Sequence, residues 1–171
     1  MAKLYAFVLA SLVLTLTPGT SIGQTFDGPE TVVVHNGPVT LHAMLWHPPG
    51  RGPFPAILLN HGSGRSREQL ERLGPYERNA ETLGPVFSRH GYVFLYLFRH
   101  GVGPSSDQGA NAFDLMNKES AEHGQEARNT LQLRLLENRD MADALSGLKF
   151  LRALPYVDAR NVAAIGPSAA T

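Results

Sequence analysis

One serine near the end of the sequence, Ser168, has neighbours that suit a nucleophile. It follows the apolar run 161–165, and Gly166 and Ala170 flank it two residues away on either side. A strand that turns sharply through small residues can raise a serine hydroxyl above the end of a sheet, where it can attack an acyl carbon. A serine that only caps the helix after a strand gives the same pattern. The Gly-x-Ser-x-small pattern alone leaves both interpretations open.

The segment His61-Gly62-Ser63-Gly64 could supply the second part of such a site, because it also follows an apolar run, 54–60. Backbone amides of a glycine-rich loop can approach a developing oxyanion closely and donate hydrogen bonds to it. An ordinary turn from a strand into a helix has a similar composition. This segment, too, is therefore ambiguous by itself.

The surrounding elements predict how these residues are positioned. A β-hairpin is expected around the turn signal Asn36-Gly37-Pro38, between strands over 31–35 and 39–47. Further strands, predicted to be buried, cover 54–60, 91–98 and 161–165. One or two helices are predicted over 65–90, with breaks at Gly74-Pro75 and Gly84-Pro85. A polar loop is predicted over 106–124. This order predicts an α/β fold: a mostly parallel sheet, entered through an antiparallel hairpin, with helices on both faces.

A long or broken helix is predicted over 125–154, because apolar residues recur there at spacings of three and four. The members of this apolar stripe are Leu131, Leu135, Leu136, Met141, Ala144, Leu145, Leu148 and Leu151. The carboxylates of the region are interpreted as a solvated helix face, namely Asp140, Asp143, Glu119, Glu122 and Glu126.

The histidines and the absence of cysteine limit the chemistry further. His35, His42 and His47 of the hairpin do not form a metal-ligand motif with nearby carboxylates, so no metal is predicted. His100 follows a central strand and could contact a substrate, although such a residue more often packs locally. The sequence contains no cysteine, which excludes a disulfide framework and a thiol nucleophile.

The distribution of charged residues indicates which partners the protein can bind, and the N-terminal segment indicates its cellular location. The 15 basic and 15 acidic residues are scattered, which argues against a nucleic-acid-binding surface. Lys3 precedes an apolar run over 4–16, and the small residues Ser21 and Gly23 follow it. This layout predicts a signal peptide over 1–23, a mature chain over 24–171 and a secreted or periplasmic location. The run is shorter than the ~20 residues of a membrane span; an uncleaved anchor is the alternative.

Three segments, in the same order along the chain, resemble the α/β-hydrolase superfamily, and most closely its dienelactone-hydrolase and prolyl-oligopeptidase-like branch. They are Gly-Pro-Phe-Pro-Ala-Ile-Leu-Leu-Asn-His-Gly-Ser-Gly at 52–64, Arg-His-Gly-Val-Gly-Pro-Ser at 99–105 and Leu-Pro-Tyr-Val-Asp-Ala-Arg-Asn-Val-Ala-Ala-Ile-Gly-Pro-Ser at 154–168. Three ordered matches are far more specific than any one of them. The resemblance covers most of the chain, from about residue 32 onward.

The resemblance implies a role for each candidate residue. Ser168 would be the nucleophile, and the backbone amides of Ala169 and Ser63 would form the oxyanion hole, with the Gly62 amide as the alternative to that of Ser63. His61 would shape the loop rather than act as the base. The substrate would be a small molecule with an ester, lactone or related acyl group, attacked through an acyl-enzyme, and no cofactor is expected.

The family's acid and histidine follow the serine in chain order, but only Ala169, Ala170 and Thr171 follow Ser168 here. Neither partner is therefore assigned to a residue of this chain. We expect a hydrolase domain that is incomplete at its C-terminal side, inactive by itself, and left with an unpaired apolar strand edge. The alternatives are a serine peptidase with the same machinery and a non-catalytic truncated fragment.

Overall fold

An open mixed sheet carries the helices of this chain on its two faces. The computed structural model describes residues 28–62, 69 and 74–166. In chain order the elements are β1 (Glu30–Asn36), β2 (Val39–Trp46), β3 (Phe54–Asn60), α1 (Tyr76–Arg89), β4 (Val93–Leu97), α2 (Ala112–Arg134), α3 (Met141–Ala153) and β5 (Val157–Ile165). A 3₁₀ helix (Gly103–Gln108) precedes α2, and a π-helical turn (Leu135–Asp140) joins α2 to α3. The predicted α/β class is confirmed.

The strand order across the sheet is β1-β2-β4-β3-β5. β2 pairs antiparallel with β1 and with β4, whereas β3 pairs parallel with β4 and with β5. All strands except β2 therefore run in one direction, and the predicted hairpin entry is correct. As a consequence, the carboxyl ends of β3, β4 and β5 lie at one edge of the sheet, which is where open α/β sheets bind their ligands.

Each face of the sheet has its own apolar core. On one face, Leu151 of α3 packs with Leu58 and Leu95, and all three are fully buried. On the other face, Ala80 of α1 packs within a cluster of aromatic side chains that includes Phe94. Every residue of β4 is buried, because both faces are covered, and this explains why that strand is apolar without alternation.

The Gly84-Pro85 pair does not end a helix, contrary to the sequence prediction. α1 continues through both residues to Arg89. A Cβ at Gly84 would overlap the indole ring of Trp46, so the glycine lets α1 approach the sheet closely. The packing of α1 on the sheet offsets the backbone hydrogen bond that Pro85 cannot donate.

The loop predicted over 106–124 is largely helical. The helix α2 begins at Ala112 because the Asn111 side chain accepts hydrogen bonds from the amides of Phe113, at 2.8 Å, and Asp114, at 3.4 Å. This is the usual role of asparagine at a helix start. The helix is kinked at Gly124, where φ is 87°.

β5 begins earlier than predicted and is more exposed. Between Phe54 and Ala56 of β3 the register shifts, so that Val157 and Val162 of β5 become their partners. Among the extra residues of β5, the Asp158 carboxylate accepts a hydrogen bond from the Arg160 amide, which lowers the pKa of that carboxyl. No described strand pairs with the outer edge of β5, and residues 163–165 are exposed rather than buried.

Candidate active site

The ends of β3 and β5 meet at the edge of the sheet where the candidate site is expected. Leu59 of β3 pairs with Ile165 of β5. One residue further on, a Cβ at Gly166 would lie 2.8 Å from the carbonyl oxygen of Asn60. Real Cβ atoms do not approach an oxygen so closely, so glycine is required at this position. The chain therefore leaves β5 in direct contact with the residue that precedes His61.

The predicted site residues fall into two groups. Gly62 and His100 are described, and they follow the adjacent strands β3 and β4. Ser63, Ser168 and Ala169 lie outside the described residues, so their roles stay predictions. The structure places the ends of β3 and β5 together, and the segments that carry these three residues continue from those strand ends.

A buried arginine, Arg99, holds the start of the loop after β3. Its Nη2 donates hydrogen bonds to the carbonyl oxygens of His61 and Gly62, both at 2.6 Å. Its Nη1 lies 2.8 Å from Oδ2 of Asp140, and the side chains of the pair are only 9% and 7% exposed. Short bonds between charged donors and buried acceptors are stronger than neutral ones. The guanidinium thus ties the loop after β3 to the start of α3.

Both ring nitrogens of His61 lie within hydrogen-bonding distance of neighbouring groups. Nδ1 lies 2.9 Å from the carbonyl oxygen of Gly62 and 3.4 Å from Nη2 of Arg99. Nε2 accepts from the backbone amide of Arg99 at 3.3 Å. The ring also packs against Tyr76 and Tyr96, with centroid distances of 4.9 and 6.3 Å. The His61 ring is therefore buried between aromatic side chains and held at the end of β3 by hydrogen bonds.

His100 is oriented by a buried carboxylate. Its Nδ1 lies 2.6 Å from Oδ2 of Asp143, and its backbone amide donates to the same oxygen at 3.1 Å. The other oxygen, Oδ1, accepts from the Asn36 side chain at 2.8 Å. Asp143 is fully buried, whereas the His100 side chain keeps 12% of its surface exposed. The carboxylate therefore joins the end of β1, the loop after β4 and α3.

The loop after β4 is anchored at its far end by Ser105, which is fully buried. Its hydroxyl donates to the Phe98 carbonyl oxygen and accepts from the His42 amide, both at 2.8 Å. The serine that ends the 99–105 segment is thus a structural residue, and it fixes the loop against β2.

The interpretation of Asp140 and Asp143 as part of a solvated helix face is wrong. These two residues, together with Gly147 and Leu151, form the buried side of the π-helical turn and α3. Met141 and Leu145 of the predicted apolar stripe are instead 53% and 57% exposed. The carboxylates occupy the inward face because Arg99 and His100 supply hydrogen-bond donors there, which makes burial of charge tolerable.

The signal that sequence analysis missed was the spacing of these residues. Asp140, Asp143, Gly147 and Leu151 recur at intervals of three and four, as buried residues on a helix do. Arg99 and His100 follow the most apolar strand directly, and they could donate hydrogen bonds to these carboxylates. A helix face that carries two carboxylates is predicted to be buried only when two such donors are recognised as its partners.

Among the described residues, no group of three or more histidine or acidic side chains could hold a metal ion. No helix in the described part of the chain is both long enough and apolar enough to cross a bilayer.

Comparison with known proteins finds similarity at the level of structure. No family model and no curated protein matches the sequence. Acylaminoacyl peptidase from Pyrococcus horikoshii is 14% identical, over 83% of this chain and 19% of that one, with a TM-score of 0.49. A dienelactone hydrolase-like promiscuous phosphotriesterase from metagenomic libraries is 23% identical, over 81% and 48% of the two chains, with a TM-score of 0.46.

Dienelactone hydrolase from Anabaena variabilis is also similar, with 21% identity over 82% of this chain and 53% of that one and a TM-score of 0.41. The chain spans between about a fifth and about half of the length of these structures. At such identities the likeness concerns the fold alone, and the chemistry of the site is argued from the residues of this chain.

Proposed function

We propose that this chain carries the nucleophile and the oxyanion loop of a serine hydrolase that acts on ester, lactone or related acyl substrates. The Ser168 oxygen forms a bond to the acyl carbon, the bond from that carbon to the ester oxygen breaks, and the alcohol group that results takes up the serine proton, while the Ser63 or Gly62 amide and the Ala169 amide stabilise the oxyanion. His100, oriented by Asp143, contacts the substrate beside this site. The proposed substrate is a small molecule with an acyl group, and the proposed reaction requires no cofactor.

The observation that carries the proposal is the contact between Gly166 and Asn60. It joins the end of β5 to the end of β3, so the Gly-x-Ser turn and the His-Gly loop begin from touching residues. A nucleophile and an oxyanion amide must lie within a few ångströms of one acyl group, and this contact satisfies that requirement at the level of the strand ends. Neither the spacing of the residues nor their order in the chain requires such a contact.

The base is not part of the proposal. His61 has its acceptor nitrogen engaged by the Arg99 amide, so it is not available to take the serine proton. Without an assigned base, acylation of Ser168 by an activated ester is expected to be slow but measurable, because oxyanion stabilisation alone retains roughly 10³-fold of catalysis over water in serine proteases. Residues 1–23 lie outside the described part, and export through a signal peptide stays a prediction.

The experiment is acetylation of the purified chain by p-nitrophenyl acetate. Intact-mass spectrometry and peptide mapping should find one acetyl group at Ser168, together with release of p-nitrophenol. Ser168→Ala should lose both signals, whereas Ser106→Ala, which removes an exposed serine, should keep them. Equal acetylation of the wild type and Ser168→Ala would show that Ser168 is not the nucleophile.

A further inference from the structure

We propose that His100 and Asp143 form a general-base dyad, in which His100 Nε2 takes a proton from an acidic O–H or C–H group of a small neutral molecule. His100 is the catalytic residue of the dyad, and Asp143 is the positioning residue. The inference goes beyond the proposed acyl chemistry and does not use its nucleophile. Every atom on which it rests lies in the described part of the chain.

The first argument concerns the ring nitrogen that faces Asp143. Nδ1 of His100 lies 2.6 Å from Oδ2 of Asp143, and the backbone amide of His100 donates to the same oxygen at 3.1 Å. The second carboxylate oxygen accepts from the Asn36 side chain at 2.8 Å. Both oxygens of Asp143 thus act as acceptors, so the hydrogen of the 2.6 Å contact is assigned to Nδ1. The lone pair of the neutral ring then lies on Nε2.

The second argument concerns access to Nε2. This nitrogen has no hydrogen-bond partner among the described residues, and it does not belong to their buried polar atoms that lack a partner. It therefore lies in the 12% of the His100 side chain that solvent reaches. Gly109 borders the same edge of the ring, because a Cβ there would lie 3.5 Å from Cδ2 of His100. The missing side chain leaves space for a ligand atom beside the ring.

The third argument is the burial of the carboxylate. Asp143 is fully buried, so water does not compete for the ring N–H. A carboxylate in this position holds the ring in one tautomer and offsets the charge that the ring gains with a proton. His123 forms a contrasting pair, in which Nδ1 lies 3.2 Å from Oε1 of Glu119 but the two side chains are 61% and 32% exposed. An exposed pair of this kind is held only weakly, so it fixes neither tautomer nor orientation.

The first experiment determines the tautomer in the wild-type protein. The ¹⁵N chemical shifts of both ring nitrogens of His100 and His123 are recorded on ¹⁵N-labelled full chain, at a concentration where it is monomeric and at a pH where the rings are neutral. In His100, Nδ1 should carry the hydrogen and Nε2 should show the shift of an unprotonated nitrogen. His123 should show an average of the two tautomers. A hydrogen on Nε2 of the neutral His100 ring would overturn the proposal.

The second experiment measures proton abstraction from nitrobenzisoxazole, a carbon acid that contains no ester. The base takes the proton from the ring carbon, the electron pair of that C–H bond completes a nitrile, the N–O bond breaks, and a coloured cyanonitrophenolate is released. His100→Gln should lower the rate constant at least roughly 10-fold, because a positioned base contributes about 10²-fold or more. Asp143→Asn should also lower it and should give a mixture of His100 tautomers, which a loss of stability alone would not produce. His123→Gln should match the wild type.

A wild-type rate in His100→Gln, or an equal loss of rate in His123→Gln, would also overturn the proposal, because the proton would then go to another group or to any exposed histidine. If Asp143→Asn does not fold, the tautomer of the wild type and the rate of His100→Gln still decide. The carbon acid has no acyl group, so this outcome is independent of acetylation at Ser168. Failure of the proposed function and failure of this inference therefore give different results.

Discussion

At the scale of single residues, the most informative feature is the pair of buried carboxylates at the start of α3. Asp140 and Asp143 are 7% and 0% exposed, and each accepts from a donor in the loop after β4. Charges buried in this manner are stable only while their partners are present. The two carboxylates therefore connect the stability of the fold to the residues that border the candidate site.

Removing the carboxylate at Asp143 should destabilise the protein strongly. Asp143→Ala would leave three donors without an acceptor, two on His100 and one on Asn36. We expect the free energy of unfolding to fall by about 3 kcal/mol, measured as a lower urea midpoint with an unchanged m-value. Asp107→Ala removes an exposed aspartate and should change the stability by less than about 0.5 kcal/mol. A similar small change in both variants would show that the cluster contributes little.

The residues of the candidate site were predictable to different degrees. Gly62 and Gly166 could be singled out from the sequence, because their small size and their place after apolar runs are local properties, while the role of Ser168 stays a prediction. Arg99, Asp140 and Asp143 were not recognised, because charged residues are usually solvated and the spacing of the two carboxylates indicates burial only together with partners that are distant in the chain. Residue type suggests chemistry, but which charges become buried is decided by tertiary packing.

At the scale of secondary-structure elements, the strands were predicted better than the helices. The hairpin, β3 and β4 were found within about two residues, because alternation and uninterrupted apolar runs reflect burial directly. α1 was predicted to break at a Gly-Pro pair, and the first half of α2 was predicted to be a loop. At Gly84-Pro85 the helix-breaking signal is outweighed by the close contact of Gly84 with Trp46. In the polar segment, the side chain of Asn111 caps the start of α2, so a helix forms where a loop was predicted.

The close contact between α1 and β2 gives a prediction that separates packing from helix propensity. Alanine stabilises a helix interior by about 1 kcal/mol relative to glycine, yet a methyl group at position 84 would overlap the Trp46 ring. Gly84→Ala should therefore lower the free energy of unfolding by about 1–3 kcal/mol, the usual cost of overpacking a core. Urea unfolding of this variant is compared with that of Glu81→Ala, an exposed position on the same helix, which should change little. A more stable Gly84→Ala variant would mean that α1 can move away from the sheet at no cost.

At the scale of the whole molecule, the two edges of the sheet differ. The β1 edge exposes Glu30, Thr31 and His35, together with one apolar side chain, Val33, which is 40% exposed. At the other edge, β5 presents an exposed run of small and apolar residues, and Ile165 is 40% exposed. The helix α3, which packs on β5, exposes Met141 and Leu145 in addition. The expectation of an unpaired apolar edge agrees with this arrangement in the described part of the chain.

Unpaired strand edges that lack charges or proline tend to pair with another chain. Residues 161–165 of β5 contain neither a charge nor a proline, so the purified chain should associate as its concentration rises. Sedimentation velocity over a concentration series should show a weight-average sedimentation coefficient that increases with concentration. A lysine on the edge strand should oppose this association, since pairing would require the ammonium group to lose its water or lie beside another lysine.

We therefore expect Ala163→Lys to associate at least several-fold more weakly than the wild type. Ala121→Lys adds the same charge at an exposed position of α2 and should associate like the wild type, which separates an effect of the β5 edge from an effect of net charge. If both lysine variants weaken association equally, general charge repulsion is responsible and the edge is not the contact. If neither does, association uses another surface, and the exposed leucine and methionine of α3 become the residues to substitute next. Loss of association in Ala163→Lys alone would identify the β5 edge as the surface through which copies of this chain associate.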